Sequence, residues 1–302
     1  MSGKKIISSL ITGLFLSLTI GCGQQDLSVI PLPENVNTFA APKTSYSTQK
    51  LTLATYNIEN LFDGIQNTGK DPETAKPEAQ KKALGEAIHK LNADVIAMQE
   101  VESKATLKQF VAKYLSDMNY EVILIESSDH RGIDVAILTR LPILDFKSNR
   151  NVKFNIPGNE PGGFSRDLLQ VRLKANNNYI FTLFATHLKS QHGGDEADVR
   201  REAEAMKIRQ LIRDFSKKNP KENYVFMGDF NDIYNSKALT PVLDSKKSGL
   251  NLHDIVNEDL GAGPQVYSYH PIKYRSRIDY ILVSPNMHNE YEKKSVSIHK
   301  GD

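Results

Sequence analysis

Acids, amides and one imidazole stand at the ends of several strand-like runs in this chain. Asn57 closes "LATYN", Glu100 closes "VIAMQE", His187 closes "FTLFATH", Asp229 and Asn231 end "VFMGDFN", and Asp279 opens "DYILVS". Loops that carry reactive groups away from rigid strands are a common way to assemble a site. Singly, each residue reads as an ordinary turn or strand-end polar group, and the recurrence is the signal. A second pattern lies in "ESSDHRGIDVAILTR", where Ser128, Asp129 and His130 stand in a row. An Asp beside a His can make the base of a hydrolase, but the same letters suit a polar hairpin between "VILI" and "VAIL".

The elements that must position these groups follow from the apolar pattern. "LTLATYNI" alternates and is rich in Thr and aliphatics, which predicts a strand. "KPEAQKKALGEAIHKLNA" puts Leu84, Ala87, Ile88 and Leu91 on one helical face, and residues 104–118 carry Leu107, Val111, Tyr114 and Leu115 at the same spacing. "DVIAMQEV", "YEVILIE", "DVAILTR", "LLQVRLK", "YIFTLFATHL", "NYVFMGDFND" and "RIDYILVS" read as strands. "DEADVRREAEAMKIRQLIRDFSKK" is a long helix with Ala203, Met206, Leu211, Ile212 and Phe215 inward, ended by Pro220. Helices interleave with strands, yet twice a strand follows a strand directly. That predicts a mixed α/β sandwich, because a purely parallel sheet needs a crossover after every strand.

The first segment is of another kind. Lys4 and Lys5 precede an apolar run from Ile6 to Ile20 and then Gly21-Cys22, the pattern of a secretory signal peptide over residues 1–21. "LTIGC" resembles a bacterial lipobox, which implies cleavage before Cys22 and lipidation there. A plain signal peptide on a secreted protein is the alternative. Residues 22–50 carry prolines and polar groups without a period and read as the lipidated cysteine and a flexible tether. Residues 51–302 remain as one domain. The expected location is the cell envelope, lipid-anchored, and the outer membrane in a Gram-negative source, since Gly23 is not an acidic retention signal. Cys22 is the only cysteine, so the domain must rely on its core, which roughly 250 residues can supply. The formal charge is +2, and Lys4 and Lys5 account for it, leaving a neutral body. Bulk charge therefore does not favour tight nonspecific nucleic-acid binding.

"TYNIENLFD", "AMQEVE", "RGIDVAIL", "SRDLLQVRL", "ATHLKS", "GDFND" and "SRIDYILVS", in this order, resemble the endonuclease/exonuclease/phosphatase superfamily, in its bacterial secreted and lipoprotein branch. The resemblance runs from about Leu51 to Ser284. It implies a DNase I-like α/β fold, a four-layer α/β/β/α sandwich with two mixed sheets. It also implies hydrolysis of phosphodiesters or phosphomonoesters by water attack with a divalent metal, Mg²⁺ with Mn²⁺ or Ca²⁺ as alternatives. On that resemblance Glu100 is the metal's carboxylate, with Asn57 helping. Asp229 orients or deprotonates the attacking water, Asn231 donates to a phosphate oxygen, and a protonated His187 adds positive charge there. Gly228 lets the backbone come close. Asp279 orients a late catalytic histidine. Arg131, Arg166 and Arg277 are candidates to grip the phosphate. Asp134 belongs either to this network or only to its loop. His89, His253 and His288 read as solvated side chains without partners.

One departure stands out. The family pattern ends with a Ser-Asp-His-like triplet and a last strand, and no Asp-His doublet follows Asp279 in "SVSIHKGD". The expectation is a domain lacking that strand, with an unpaired sheet edge. Neither His299, placed inside a strand-like run, nor His130 is positioned to replace the doublet. Two function classes follow: a membrane-anchored, monomeric phosphoesterase acting on DNA, RNA or a small phosphoester, or a catalytically impaired surface lipoprotein that binds a phosphorylated ligand or host component.

Overall fold

A computed structural model describes residues 15–21, 50–65, 74–127, 129–176, 179–244, 248–269 and 275–299. Among the described residues, the β-branched and alternating runs become twelve strands in two sheets of six. Strands are β1 (Phe15–Gly21), β2 (Lys50–Leu61), β3 (Val95–Val101), β4 (Glu121–Leu124), β5 (Asp134–Thr139) and β6 (Ile143–Ser148), then β7 (Leu169–Asn176), β8 (Tyr179–His187), β9 (Asn223–Asp229), β10 (His253–Asp254), β11 (Asp279–Val283) and β12 (Ser297–His299). Helices are α1 (Glu78–Leu91), α2 (Lys104–Tyr114), α3 (Gly194–Lys218), α4 (Thr240–Leu243), α5 (Ile255–Leu260) and α6 (Pro285–His288).

One sheet runs β12-β1-β2-β3-β5-β4 and the other β10-β11-β9-β8-β7-β6. Each contains one parallel pair, β2 with β3 and β8 with β9, joined through α1 and α3; the other pairings are antiparallel. Three apolar layers hold the sandwich together. Leu53, Val95 and Val135 of one sheet share a core with Val171, Leu183, Val225 and Ile281 of the other. Leu84, Ile88, Leu107 and Phe110 seal the outer face of the first sheet. Ala205, Ile208 and Ile212 of α3 seal the second against Phe184 and Phe226. This is the expected α/β/β/α sandwich with two mixed sheets.

Two expectations differ from the fold. Met206 is 52% exposed, whereas Arg201 and Glu204 are buried on the inward face of α3. A hydropathy stripe cannot find that face, because both charges are satisfied by partners far along the chain: Arg201 by Asp232, Glu204 by the amides of Ser165 and Lys189.

The second difference is at the chain start. Phe15–Gly21, read as the end of an apolar leader, form β1 between β2 and β12, in register from Phe15 opposite Tyr56 to Gly21 opposite Lys50. Leu18 and Ile20 are fully buried, and Thr19 lies on the opposite face with its amide held by Ser295. "LSLTI" alternates with period two, so an apolar run in composition is a strand in pattern. The sequence assigns the expected unpaired edge to no particular strand; among the described residues β2 is flanked by β1 and β3, and β12 lies beyond β1. Cys22 and most of the 22–50 tether lie outside the described residues, as do residues 1–14 of the leader. Among the described residues, no helix is long and apolar enough to cross a membrane.

Candidate active site

The two parallel pairs explain where the polar strand ends go. A ligand crevice forms at the carboxyl ends of parallel strands, where side chains can fan apart. Asn57 stands where the β2–β3 register breaks, four residues before the end of β2, and Glu100 is next to last in β3, while His187 and Asp229 close β8 and β9. In the second sheet His187, Asp229 and Asp279 lie side by side across three adjacent strands, His187 opposite Asp229 and Asp229 opposite Asp279. The first sheet closes on this row through Asn57. Its Nδ2 donates to Glu100 Oε1 at 3.2 Å and to Asp229 Oδ2 at 2.9 Å.

Local backbone aims these groups. The register of β3 slips between Met98 and Val101, and within that bulge Glu100 takes φ 65°. A bulge re-aims a side chain that a regular pleat would bury or expose on the wrong face. Gly228 has φ 148°, and a Cβ there would lie 2.0 Å from the Thr186 carbonyl oxygen. The parallel β8–β9 pair therefore tolerates only glycine at this point, one residue before Asp229.

The electrostatics are those of crowded, dry acids. Burial pushes the Asp229 carboxyl up to about 6, and Glu100 adds to that; the Asn57 amide and the Asn231 backbone N–H pull the other way. Burial, then repulsion from Asp229, holds Asp279 well above the usual carboxylate range. Asp279 Oδ1 is buried with no hydrogen-bond partner among the described residues, while Ser268 Oγ accepts from the Asp279 amide at 3.0 Å. His187 is corrected by its surroundings. Burial first, then the Arg166 and Arg131 cations, lower its pKa well below the ordinary value, so the ring is neutral at neutral pH. Asp229 lies 3.8 Å from Nε2, beyond hydrogen-bond reach, and does not hold a proton on the ring. His187 can donate a hydrogen bond but brings no charge.

The remaining candidates separate. Asn231 Nδ2 donates to the Leu188 carbonyl at 3.0 Å, and its backbone N–H donates to Asp229 Oδ1 at 2.7 Å, so one amide hydrogen is left for a ligand. Asn57 Oδ1 accepts from the Glu59 amide at 3.0 Å and keeps a second lone pair, while its Nδ2 orients the two carboxylates. Arg166 is buried beside Asp129, with Nε 3.3 Å from Oδ2, and Arg131 Nη2 donates to Asn60 Oδ1 at 2.7 Å. Both guanidiniums act on His187, which places them at the site. Arg277 differs in being occupied: both ends of its fork are taken by Asp254, at 3.0 and 2.7 Å, and it covers the Tyr280 ring, while its charge reaches Asp279. Asp134 fixes its loop through the Ser127 amide at 2.8 Å.

Sequence reasoning missed two contributors. Asp129, weighed with His130 as a hydrolase base or as part of a polar hairpin, is the buried counter-charge of Arg166; His130 beside it is exposed, and Ser128 lies outside the described residues. Lys76 is buried with its ammonium on the Glu59 carbonyl at 2.8 Å, close enough to Glu100 for that carboxylate to favour its charged form. Neither has a local signal, since each partner is remote in sequence.

The donor set can be tested against a hard divalent cation. Glu100, Asp229 and Asp279 are oxygen donors; burial first, then repulsion from a neighbouring acid, raises Asp229 and Asp279, and Asp279 keeps an unmet acceptor. The three do not bring their oxygens within 4.8 Å of one another, so one or two carboxylates together with water would hold the ion. A cation would relieve this repulsion, so the residues fit one.

Fold and site together are those of a phosphate-ester-hydrolase class of DNase I-like architecture. The sequence matches the Endonuclease/Exonuclease/phosphatase family over residues 52–296, and the chain belongs to that family. Its fold is similar to the human Nocturnin catalytic domain, with TM-score 0.54 and 19% identity over 70% of this chain and 77% of that one. A Bacteroides thetaiotaomicron endonuclease/exonuclease/phosphatase family protein aligns with TM-score 0.49 and 19% identity, covering 68% and 75% of the two chains. Truncated Caenorhabditis elegans TDP2 aligns with TM-score 0.47 and 18% identity over 68% and 75%. No curated protein matches the sequence.

Proposed function

We propose that this protein is a divalent-metal-dependent phosphoesterase that cleaves a phosphodiester by attack of water, Mg²⁺ being the first candidate metal. The observation that carries the reading is the Asn57 amide bridging Glu100 and Asp229, one carboxylate from each sheet. Glu100, the more accessible of the two, would hold the metal, aided by the neighbouring acids. Once bound, the metal supplies Lewis-acid neutralisation of phosphate charge. Asp229, raised to about 6, is suited to hold a water and to take its proton near neutral pH. Neutral His187 and the remaining Asn231 amide hydrogen donate to phosphate oxygens, and the Arg166 and Arg131 cations lend field to the same region.

A groove of about 1020 Å³ opens from Asn231 past Gln191, His192, Lys237, Tyr269 and Arg275. It is larger than a phosphate needs, and the exposed Tyr269 in its wall suits an organic substituent, which favours a diester over a simple monoester. The lipid anchor at Cys22 and the envelope location are part of the proposal on sequence alone. A plasmid-nicking assay and a panel of phosphomonoesters and diesters, run with EDTA and with Mg²⁺, Mn²⁺ or Ca²⁺, tests the reading. Metal-dependent turnover that Glu100→Ala and Asp229→Ala abolish supports it. Inertness on every substrate with every metal sinks it. That outcome would favour the second reading, a surface lipoprotein that binds a phosphorylated ligand without turnover.

A further inference from the structure

His253, Glu258 and His288 come from three separate elements and meet at the β10–β11 edge of the second sheet. His253 opens β10 opposite Val283, Glu258 lies within α5, and His288 closes α6. His253 Nδ1 is 3.2 Å from Glu258 Oε1, and His288 Nε2 is 2.7 Å from Glu258 Oε2. One nitrogen of each ring and a carboxylate oxygen lie within 4.8 Å of one another. The two imidazoles stack at 3.7 Å between centroids and 13° between planes, so both present their nitrogens to one carboxylate. The expectation of solvated histidines without partners is overturned here.

From these contacts we infer a second metal site on this protein, His253–Glu258–His288, for a Zn²⁺-class transition cation. Tetrahedral Zn²⁺ with bonds of about 2.0–2.1 Å wants donors roughly 3.3 Å apart. The two imidazole–carboxylate separations, 3.2 and 2.7 Å, lie near that, and the stacked rings must tilt apart for both in-plane lone pairs to meet one ion. Two imidazoles and one carboxylate select a borderline cation such as Zn²⁺ over Mg²⁺ or Ca²⁺, which prefer oxygen. The catalytic cluster, rich in oxygen donors, has the opposite preference.

The scaffold beneath is rigid. Asp254, next to His253, caps α5 through the Asn257 amide and grips Arg277 in the fork described above. Asp259, next to Glu258, takes the Lys294 and Val296 amides at 2.9 and 3.1 Å. Ser284 caps α6, which ends at His288. Each ligand is thus fixed by its neighbour, as a preorganised site requires. His253 and Glu258 also line a cavity of about 430 Å³, which gives a fourth coordination position to water. Bound there, the cation would tie α5 and α6 to the sheet edge.

The test uses the full chain, stripped with EDTA and dialysed against Zn²⁺ alone, with bound metal counted per protein. The unaltered chain should hold one more equivalent than His253→Gln/His288→Gln, and Glu258→Gln should weaken that equivalent by about tenfold or more. Co²⁺ in its place should give the intense visible bands of a tetrahedral ion, lost in the double variant. Glu100→Gln should keep both the extra zinc and the bands, which separates this site from the catalytic cluster. Unchanged zinc counts and Co²⁺ spectra in the double variant would overturn the site, as would loss of the extra zinc in Glu100→Gln alone. Should the double variant misfold, the half-exposed His253→Gln alone reads the same count.

Discussion

Asp279 and Asp229 face each other in direct register across the antiparallel β11–β9 pair, and both carboxyls are buried. Such a pair costs stability when both groups ionise in a dry setting. A carboxyl raised to about 6, as Asp229 is, binds more protons folded than unfolded between its ordinary value of 3.8 and that point. Stability of the metal-free protein therefore falls as pH rises through this window, and the penalty is complete above it. Asp279→Asn removes one of the two charges. It should stabilise the metal-free protein by about 1–3 kcal/mol near neutral pH, and by progressively less on acidification. His187, held neutral by burial, contributes the opposite slope below its ordinary 6.5 in both proteins, so the difference between the two curves isolates the acid pair. Thermal unfolding in EDTA across pH measures it. A variant less stable than the parent at every pH would refute the account.

Gly228 should be irreplaceable. The Cβ of alanine would sit 2.0 Å from the Thr186 carbonyl oxygen, a backbone atom in the neighbouring parallel strand, at a φ of 148°. Relief requires moving β8 away from β9, which misplaces His187 and Asp229 together. Gly228→Ala should cost about 3 kcal/mol or more, read as a lower urea midpoint. A midpoint within error of the parent would show that the strands can part freely.

Arg131 and Arg166 should act on substrate affinity, and Arg277 should not. Both of the former impose their charge on His187, whereas Arg277, whose charge reaches Asp279, has both ends of its fork occupied by Asp254. On whichever ester is turned over, Arg131→Lys and Arg166→Lys should raise KM, since lysine lacks the planar fork. Arg277→Lys should leave KM alone and lower the melting temperature. Asp129→Asn, which leaves Arg166 buried without its counter-charge, should destabilise by about 3–5 kcal/mol. Equal KM changes in all three arginine variants would erase the distinction.

The sequence carried Asn57, Glu100, His187, Asp229 and Asp279 because each borders an apolar run, closing it or, for Asp279, opening it, and a rigid strand fixes where such a residue points. It also carried the two mixed sheets, since strands that follow strands cannot be parallel neighbours. It did not carry partnerships between distant charges. Arg201 and Glu204 interrupt the hydropathy stripe of α3 and displace Met206 outward. Asp129 acquires its role only when the chain brings Arg166 beside it. His253, Glu258 and His288 have no motif spacing, because three elements rather than one helix assemble them. Protonation was equally illegible: His187 could be given a charge on paper, and only burial between two arginines removes it.

The N-terminus offers the sharpest remaining test, because two readings of one segment disagree. As a leader, residues 1–21 leave the mature chain before Cys22. As β1, Phe15–Gly21 pair along their whole length with β2 and bury Leu18 and Ile20. Two buried aliphatic side chains contribute roughly 1.5–3 kcal/mol each, and removing them also bares a row of β2 backbone groups, an aggregation hazard. If β1 belongs to the working fold, a chain starting at residue 22 should unfold several kcal/mol more easily than the full chain and should self-associate. The mature mass should then retain residues 15–21. If the lipobox reading governs, the mature mass should begin at a lipidated Cys22, and the shorter chain should be monomeric and as stable as the longer one. Urea unfolding of both chains, with intact mass from a secreting bacterial host, decides between them.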